Sequence, residues 1–237
     1  MIEMKSEERL AEQYLRSIGI GDIVYQPDGN VMPDFLVDQH VAIEVRRLNQ
    51  HSVFQGHTKG LEEDSIPLVQ KIENLLPLLG KPIDARSWFV GLGFRRPIPP
   101  WEYLKPRIIR SLLNSTISTN AQSGTIKISD NFEIDLHLAS DTHPTRFVFG
   151  GWSDGDEGGF VVSEVLRNLE IAVAEKTRKQ KSVREKYKIW WLIFVDYIGR
   201  GLNADDRHTL KQHFKIPEEW QKIVLINPLD CLDGFEL

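Results

Sequence analysis

Two short apolar segments separated by three residues constrain the fold of this chain more than any other feature. Pro33–Val37 and Val41–Arg47 both have the composition of β-strands, yet each carries a carboxylate, Asp34 or Glu44, where an apolar residue is expected. If Asp38–His40 forms the connecting loop, antiparallel pairing places the two acids opposite each other, with Cβ atoms about 4.5–5.5 Å apart. A loop one residue shorter or longer moves them to opposite faces. The spacing therefore predicts a hairpin with paired acids.

The hairpin sequence is apolar on both faces, which predicts that both faces are covered by other elements. Two carboxylates in such a place require a compensating positive charge. Glu44 and Arg46 lie two residues apart and therefore share a strand face. Two acids and a cation on one sheet surface can hold a divalent metal against a phosphate, and a single Mg²⁺ with oxygen ligands at about 2.0–2.1 Å can bridge both carboxylates.

These residues resemble the PD-(D/E)xK nuclease superfamily, whose fold is called restriction-endonuclease-like. Pro33-Asp34 matches the PD element, and Glu44-Val45-Arg46 matches the ExK element with arginine in place of the usual lysine. The resemblance covers roughly the first ninety residues. It implies a mixed central sheet flanked by helices, a DNA substrate, and Mg²⁺ or Mn²⁺ held by Asp34, Glu44 and the carbonyl of Val45.

A helix is predicted at residues 6–18, with Ser6 as N-cap and Gly19 just beyond the end. Nuclease families of this kind tend to begin with a helix whose glutamate joins the metal site. The inward stripe predicted for this helix extends back to Glu7, which is the first choice for that glutamate, and Glu8 is the alternative.

Arginine at position 46 leaves three interpretations open. Arginine binds phosphate oxygens but does not serve as a base, so Arg46 can stabilise the transition state of an active enzyme. Alternatively, the lysine has moved to another element, or the site is degenerate. A long helix predicted at residues 161–186 offers Lys176 as the moved lysine, because Lys176 continues the apolar stripe of that helix. The simpler interpretation is that Lys176 extends into solvent near the helix C-terminus, where cations are favoured.

The order of elements predicts a mixed α/β protein with an inserted α+β segment. Residues 1–96 and 160–237 are expected to form the nuclease-like core, which includes strands at Trp88–Leu92 and Ile189–Val195, and residues 97–159 the insertion.

Several other segments receive simple interpretations from their composition. Residues 48–60, with His51 and His57, are predicted to form a loop, and residues 150–159 a solvated glycine-rich acidic turn. Trp101 and Trp152, both in the insertion, are candidates for exposed roles.

Composition limits the partners and the location. The net charge of −5 gives no global attraction to DNA, so contact with phosphates depends on local patches. The candidates are Lys179, Lys181, Arg184 and Arg47. The single Cys231 suits a reducing cytoplasm and excludes an internal disulfide. No apolar run has the length of a membrane span. A homodimer is possible, and the oligomeric state is left open.

The sequence therefore predicts a metal-dependent nuclease that hydrolyses DNA. Asp34 and Glu44 are expected to bind the metal, Glu7 to add a ligand directly or through water, and Arg46 to stabilise the transition state. The alternative is a catalytically degenerate module of the same fold that binds DNA or a protein partner. In that module Arg46 forms a salt bridge with both acids. A small-molecule phosphoesterase is a third interpretation.

Overall fold

A computed structural model describes residues 4–54, 57–117 and 121–237, with the backbone alone at 53, 54 and 57. The helices are α1 Ser6–Ser17, α2 Glu62–Leu75, α3 Trp101–Thr116, α4 Val161–Gln180 and α5 Ala204–His213. The strands are β1 Ile23–Tyr25, β2 Phe35–Val37, β3 Val41–Leu48, β4 His51–Phe54, β5 His57–Gly60, β6 Trp88–Phe94, β7 Gly124–Ser129, β8 Phe132–Leu138, β9 Phe147–Asp154, β10 Ile189–Asp196, β11 Lys222–Asn227 and β12 Asp230–Glu236. Two 3₁₀ turns lie at Leu76–Leu79 and Arg184–Lys186.

The chain forms two compact units. Unit 1 consists of Met1–Gln50 and Gly158–Leu237, and unit 2 consists of His51–Glu157. Unit 2 thus begins well before residue 97, the boundary expected from the sequence. The physical reason is that β6 pairs with β8 and β9 and takes no part in the sheet of unit 1. An apolar strand between helices has the same pattern in either sheet, so its sequence does not distinguish them.

Unit 1 is built on a mixed six-stranded sheet in the order β1-β2-β3-β10-β11-β12. The three central strands run parallel, and the flanking strands pair antiparallel. The predicted mixed α/β class is therefore confirmed. Strand β12 was not predicted, because this exposed edge strand is largely polar and lacks a continuous apolar face.

Helices cover both faces of this sheet, as the two-sided apolar pattern of the hairpin predicted. Ala11 and Leu15 of α1 pack on the face that carries Phe35, Ile43 and Val45. The opposite face, with Ala42, Leu192 and Leu225, packs against residues of α4 and α5. Alternate residues of β3 therefore point to α1 and to α4, and the side of each acid determines which helix it meets.

The N-cap of helix α1 lies one residue earlier than predicted. Lys5 is the N-cap residue and Ser6 is the first helical residue, so the prediction of Ser6 as N-cap was wrong. The Glu8 side chain accepts a hydrogen bond from the Lys5 N–H at 2.9 Å, which stabilises the helix start in place of a serine hydroxyl.

Unit 2 contains a four-stranded sheet in the order β7-β8-β6-β9. Buried residues of α2 and α3, including Ile72, Leu104 and Ile108, pack against Val90 and Ile134 on one sheet face. A separate hairpin, β4-β5, lies where the sequence predicted a loop. Within the described residues, no helix combines the length and the apolar character needed to span a membrane.

Candidate functional site

The hairpin of β2 and β3 has the predicted register. Phe35 pairs with Ile43, and Val37 pairs with Val41, so residues 38–40 form the three-residue loop. Asp38 and Gln39 adopt left-handed backbone conformations, with φ of 47° and 63°, and these allow the chain to reverse within three residues. One residue beyond the Phe35–Ile43 pair, Asp34 and Glu44 therefore lie across from each other on the face covered by α4.

Asp34 is half-buried and is held by the neighbouring strand. Its Oδ2 accepts a hydrogen bond from the Val45 N–H at 2.8 Å. Burial raises the pKa of Asp34, and the nearby charge of Glu8 raises it further, whereas the Val45 N–H and the positive charge of Lys176 lower it. Asp34 is thus a carboxylate whose charge is poorly compensated by the protein alone.

Glu44 is more deeply buried, with 4% of its surface exposed. Its Oε1 accepts a hydrogen bond from Nζ of Lys176, while its Oε2 is buried without a hydrogen-bond partner among the described residues. Burial raises the pKa of Glu44 to about 7, despite the opposing effect of Lys176 and with a further contribution from Asp34. A buried carboxylate oxygen without a partner is costly, and a bound cation or water removes that cost.

The cation that pairs with Glu44 is Lys176 of α4 and not Arg46 of β3. Lys176 of α4 has only 14% of its side chain exposed and forms an ion pair with Glu44, so it does not extend into solvent. Arg46 forms an ion pair with Glu175 at 2.7 Å. The cation next to the two acids is therefore the lysine of α4, and α4 also supplies the carboxylate that binds the arginine of β3.

The two glutamates at the start of α1 point to different surroundings. Glu7 lies 3.5 Å from Arg47, whose guanidinium stacks 3.9 Å from the ring centre of Tyr197. Arg47 follows Arg46 and occupies the opposite face of β3, so Glu7 is directed away from the paired acids.

Glu8, the alternative considered from the sequence, lies near Asp34. It accepts hydrogen bonds from the Tyr25 hydroxyl at 2.7 Å and from the Lys5 N–H, and its carboxylate pairs with the Lys5 ammonium at 3.2 Å. Burial raises the pKa of Glu8, but these hydrogen bonds outweigh burial and the pKa is lowered overall. Glu8 stands three residues before buried Ala11 and Glu7 stands four residues before it, and both spacings belong to an inward helix stripe, so the sequence pattern does not distinguish them.

The paired acids open into a cavity of about 630 Å³. Six of its lining residues are cationic or carboxylic: Lys5, Asp34, Glu44, Lys176, Arg178 and Lys179. The opposite wall comes from the loop before β2, including Gln26 and residues 29–32. The sequence analysis missed Lys5 and this loop, because cavity walls depend on tertiary packing and leave no periodic signal.

Of the predicted DNA-binding residues, only Lys179 lines this cavity. Lys179 pairs with Glu175 at 2.7 Å, Lys181 is exposed at the end of α4, and Arg184 lies 3.9 Å from Glu219. Arg47, paired with Glu7, lies on the other sheet face. The cationic rim therefore consists of Lys5, Arg178 and Lys179.

His51, His57, Asp154 and Asp156 belong to unit 2. His51 is buried in β4, and the side chain of His57 lies outside the described part of the structure. Asp154 and Asp156, predicted to lie in a solvated turn, accept hydrogen bonds from Arg96 at 2.8 and 3.2 Å. The ion pairs order this segment, and the turn prediction was wrong for residues 150–154, which belong to β9.

Across the ranges that the structure describes, no three His, Cys, Asp or Glu side chains are arranged as a ready metal cluster. Comparison with protein-family models, curated proteins and solved structures found no match. The site is therefore defined by its own geometry: two facing carboxylates, one lysine and a cationic rim.

Proposed function

We propose that unit 1 is a metal-dependent nuclease with a restriction-endonuclease-like core, which hydrolyses DNA phosphodiester bonds. The observation that carries the proposal is the meeting of Asp34, Glu44 and Lys176 at one end of a cavity. The order helix, strand, PD strand, ExR strand supports the resemblance to the PD-(D/E)xK superfamily, and Lys176 takes the place of the lysine missing from β3.

The donor set suits Mg²⁺ or Mn²⁺. Both acids are oxygen donors. The buried Oε2 of Glu44 has no hydrogen-bond partner in the described part of the chain, and it is the kind of atom that a cation satisfies. Asp34 and Glu44 would hold the metal, with the Val45 carbonyl as the ligand that the resemblance adds. Glu8 is the α1 carboxylate closer to the pair, and it replaces Glu7 in this role. When bound, the metal supplies activation of water and neutralisation of charge on the phosphate.

Lys176 and the rim cations stabilise negative charge and bind the phosphates of the substrate. An ammonium beside the two acids orients Glu44 and stabilises negative charge that develops on a phosphate in the cavity. Lys5, Arg178 and Lys179 attract the neighbouring phosphates of the strand, which overcomes the net charge of −5 locally. Arg46 forms an ion pair with Glu175 and thereby holds α4 on β3.

A catalytically degenerate module that binds DNA or a protein partner is the second candidate. The observation in its favour is the pairing of charges within the fold: Lys176 with Glu44 and Arg46 with Glu175. These pairs lock α4 onto the sheet without any metal. The degenerate module therefore differs from the enzyme in needing no divalent ion.

Calorimetric titration with Mn²⁺ separates the two candidates. The wild type is expected to bind Mn²⁺, and Asp34→Ala is expected to lose at least about tenfold in affinity, since it removes one of two carboxylates. Glu218→Ala, which removes an exposed acid elsewhere in unit 1, is the matched control and should bind normally. Absence of binding by the wild type contradicts the enzyme and favours the degenerate module.

A DNA-cleavage assay in Mn²⁺ buffer then compares the contributions of Lys176 and Arg46 to catalysis. Lys176→Ala is expected to reduce kcat by about a hundredfold or more while Mn²⁺ binding persists, because the charge-stabilising group is lost and Oε1 of Glu44 is freed. Arg46→Ala is expected to reduce kcat far less. Equal losses in the two variants would contradict the assignment of Lys176.

A further inference from the structure

Unit 2 carries a second candidate site, on the sheet face opposite its core. Val90 and Leu92 of β6 point into the core, so Phe89, Gly91 and Gly93 point to the other face. Across the strand pair, Phe89 lies opposite His137 and Gly91 lies opposite Asp135. Glycine at position 91 leaves a gap in this face, with Asp135 on one side of it.

A bulge in β9 forms the other side of the gap. The register between β6 and β9 shifts at Val90 and Gly91, which leaves Gly150 as the extra residue and pairs Gly91 with Gly151. Gly151 has φ of 122°, a conformation that only glycine adopts without strain. Trp152, which pairs with core-facing Leu92, is nevertheless 50% exposed. Trp152 lines the same cavity as Gly91 and Asp135.

The result is a trough of about 490 Å³, a volume typical of ligand sites. Its floor is Gly91, and its walls are Asp135 on β8 and the segment containing Trp152 on β9, separated by two strand spacings, or roughly 10 Å. Phe149 stacks on Trp152 with ring centres 6.3 Å apart and planes at 21°, which holds the indole in place.

The residues that line the trough favour a cationic ligand. Asp135 is the charged residue among those lining it, all of which are described, and no lysine or arginine lines it. The exposed Glu133 lies two residues away on the same face. Carboxylates in this position repel phosphates and attract cations. The Thr125 hydroxyl donates to Oδ1 of Asp135 at 2.5 Å and orients the carboxylate.

We propose that this trough binds an arginine side chain of a partner polypeptide, with the guanidinium stacked on Trp152 and hydrogen-bonded to Asp135. A guanidinium is planar, always charged and weakly hydrated, so it satisfies an aromatic face and a carboxylate at once, which an ammonium does less well. The proposal is independent of the nuclease activity, because every residue that carries it belongs to unit 2.

The test titrates the full chain with N-acetylarginine methylamide and follows the indole N–H resonance of Trp152 by NMR. The resonance is assigned by its loss in Trp152→Phe. A saturable shift is expected with this probe, and a response at least fivefold weaker with the citrulline analogue, which has the same shape without the charge. An equal response to citrulline would overturn the proposal.

Two further variants change the trough by small substitutions that the fold should tolerate. Asp135→Asn retains an acceptor for Thr125, and Gly91→Ala fills the floor with a Cβ that lies 3.4 Å from the Cβ of Asp135, an ordinary contact. Both should weaken binding at least fivefold, whereas Asp141→Asn, an exposed control, should bind as the wild type does. Undiminished binding in both variants would overturn the proposal, and so would tighter binding of guanosine monophosphate, which would indicate a nucleobase site.

Discussion

Glu44 is a buried carboxylate with only one of its two oxygens hydrogen-bonded among the described residues. Removing this carboxylate from water raises its pKa to about 7, and Lys176 compensates only one of its two oxygens. A residue placed for stability alone has little reason to keep the second oxygen unpartnered. Under the proposed function, the stability lost at this oxygen is exchanged for affinity toward the metal.

This argument predicts the pH dependence of stability. The pKa of Glu44 is higher in the folded protein than its ordinary value of 4.5, so the folded state binds the proton more tightly. Its contribution to the free energy of unfolding is present below pH 4.5 and is lost as pH rises to about 7, by up to about 3 kcal/mol. Urea unfolding between pH 4.5 and 8 should show this decline without metal.

Glu44→Gln should flatten that decline, because glutamine stays neutral and can still accept from Lys176. Some slope should persist in the variant, since burial also raises the pKa values of Asp34 and Asp196. Comparison of the two proteins isolates the part that belongs to Glu44. Parallel curves for wild type and variant would show that Glu44 ionises normally in the folded state.

At the scale of elements, two helices hold the hairpin from opposite sides. Helix α4 brings Lys176 and Glu175 to the face of β3 that carries Glu44 and Arg46. Helix α1 packs Ala11 and Leu15 on the other face and brings Glu8 to the edge of the site. The position of the acids thus depends on apolar packing as much as on ion pairs.

Leu15→Ala should show the strength of this packing. Leu15 is fully buried, and its truncation is expected to reduce the free energy of unfolding by about 2–4 kcal/mol because a cavity remains. Ile18→Ala, at a residue 46% exposed on the same chain segment, should change it by no more than about 0.5 kcal/mol. Chemical denaturation measures both, and similar losses in the two variants would contradict the packing of α1 on the sheet.

At the scale of the whole molecule, unit 2 is inserted between two ends of unit 1 that lie close together. The Gln50 amide donates to the Gly158 carbonyl at 2.9 Å, and its oxygen accepts from the Gly158 N–H at 3.1 Å. One side chain therefore joins the two ends of unit 1, and this closeness is the condition for a tolerated insertion.

Excision of unit 2 tests its independence. A variant with residues 51–157 replaced by about four Gly/Ser residues, which span up to roughly 13 Å, should fold with a single cooperative transition. Its Mn²⁺ affinity should match that of the full chain within about threefold, because every residue of the candidate metal site belongs to unit 1. A variant without cooperative unfolding would show that the core of unit 1 requires unit 2.

Features that depend on local spacing could be predicted from the amino-acid sequence. Three loop residues set the register that pairs Asp34 with Glu44, and the apolar periods of α1 and α4 set which side of each helix is buried. Tertiary structure alone decided which cation reaches the acids, which glutamate of α1 lies near them, and to which sheet β6 belongs. The reason is physical: these outcomes depend on contacts between residues far apart in the chain, and similar local patterns allow either result.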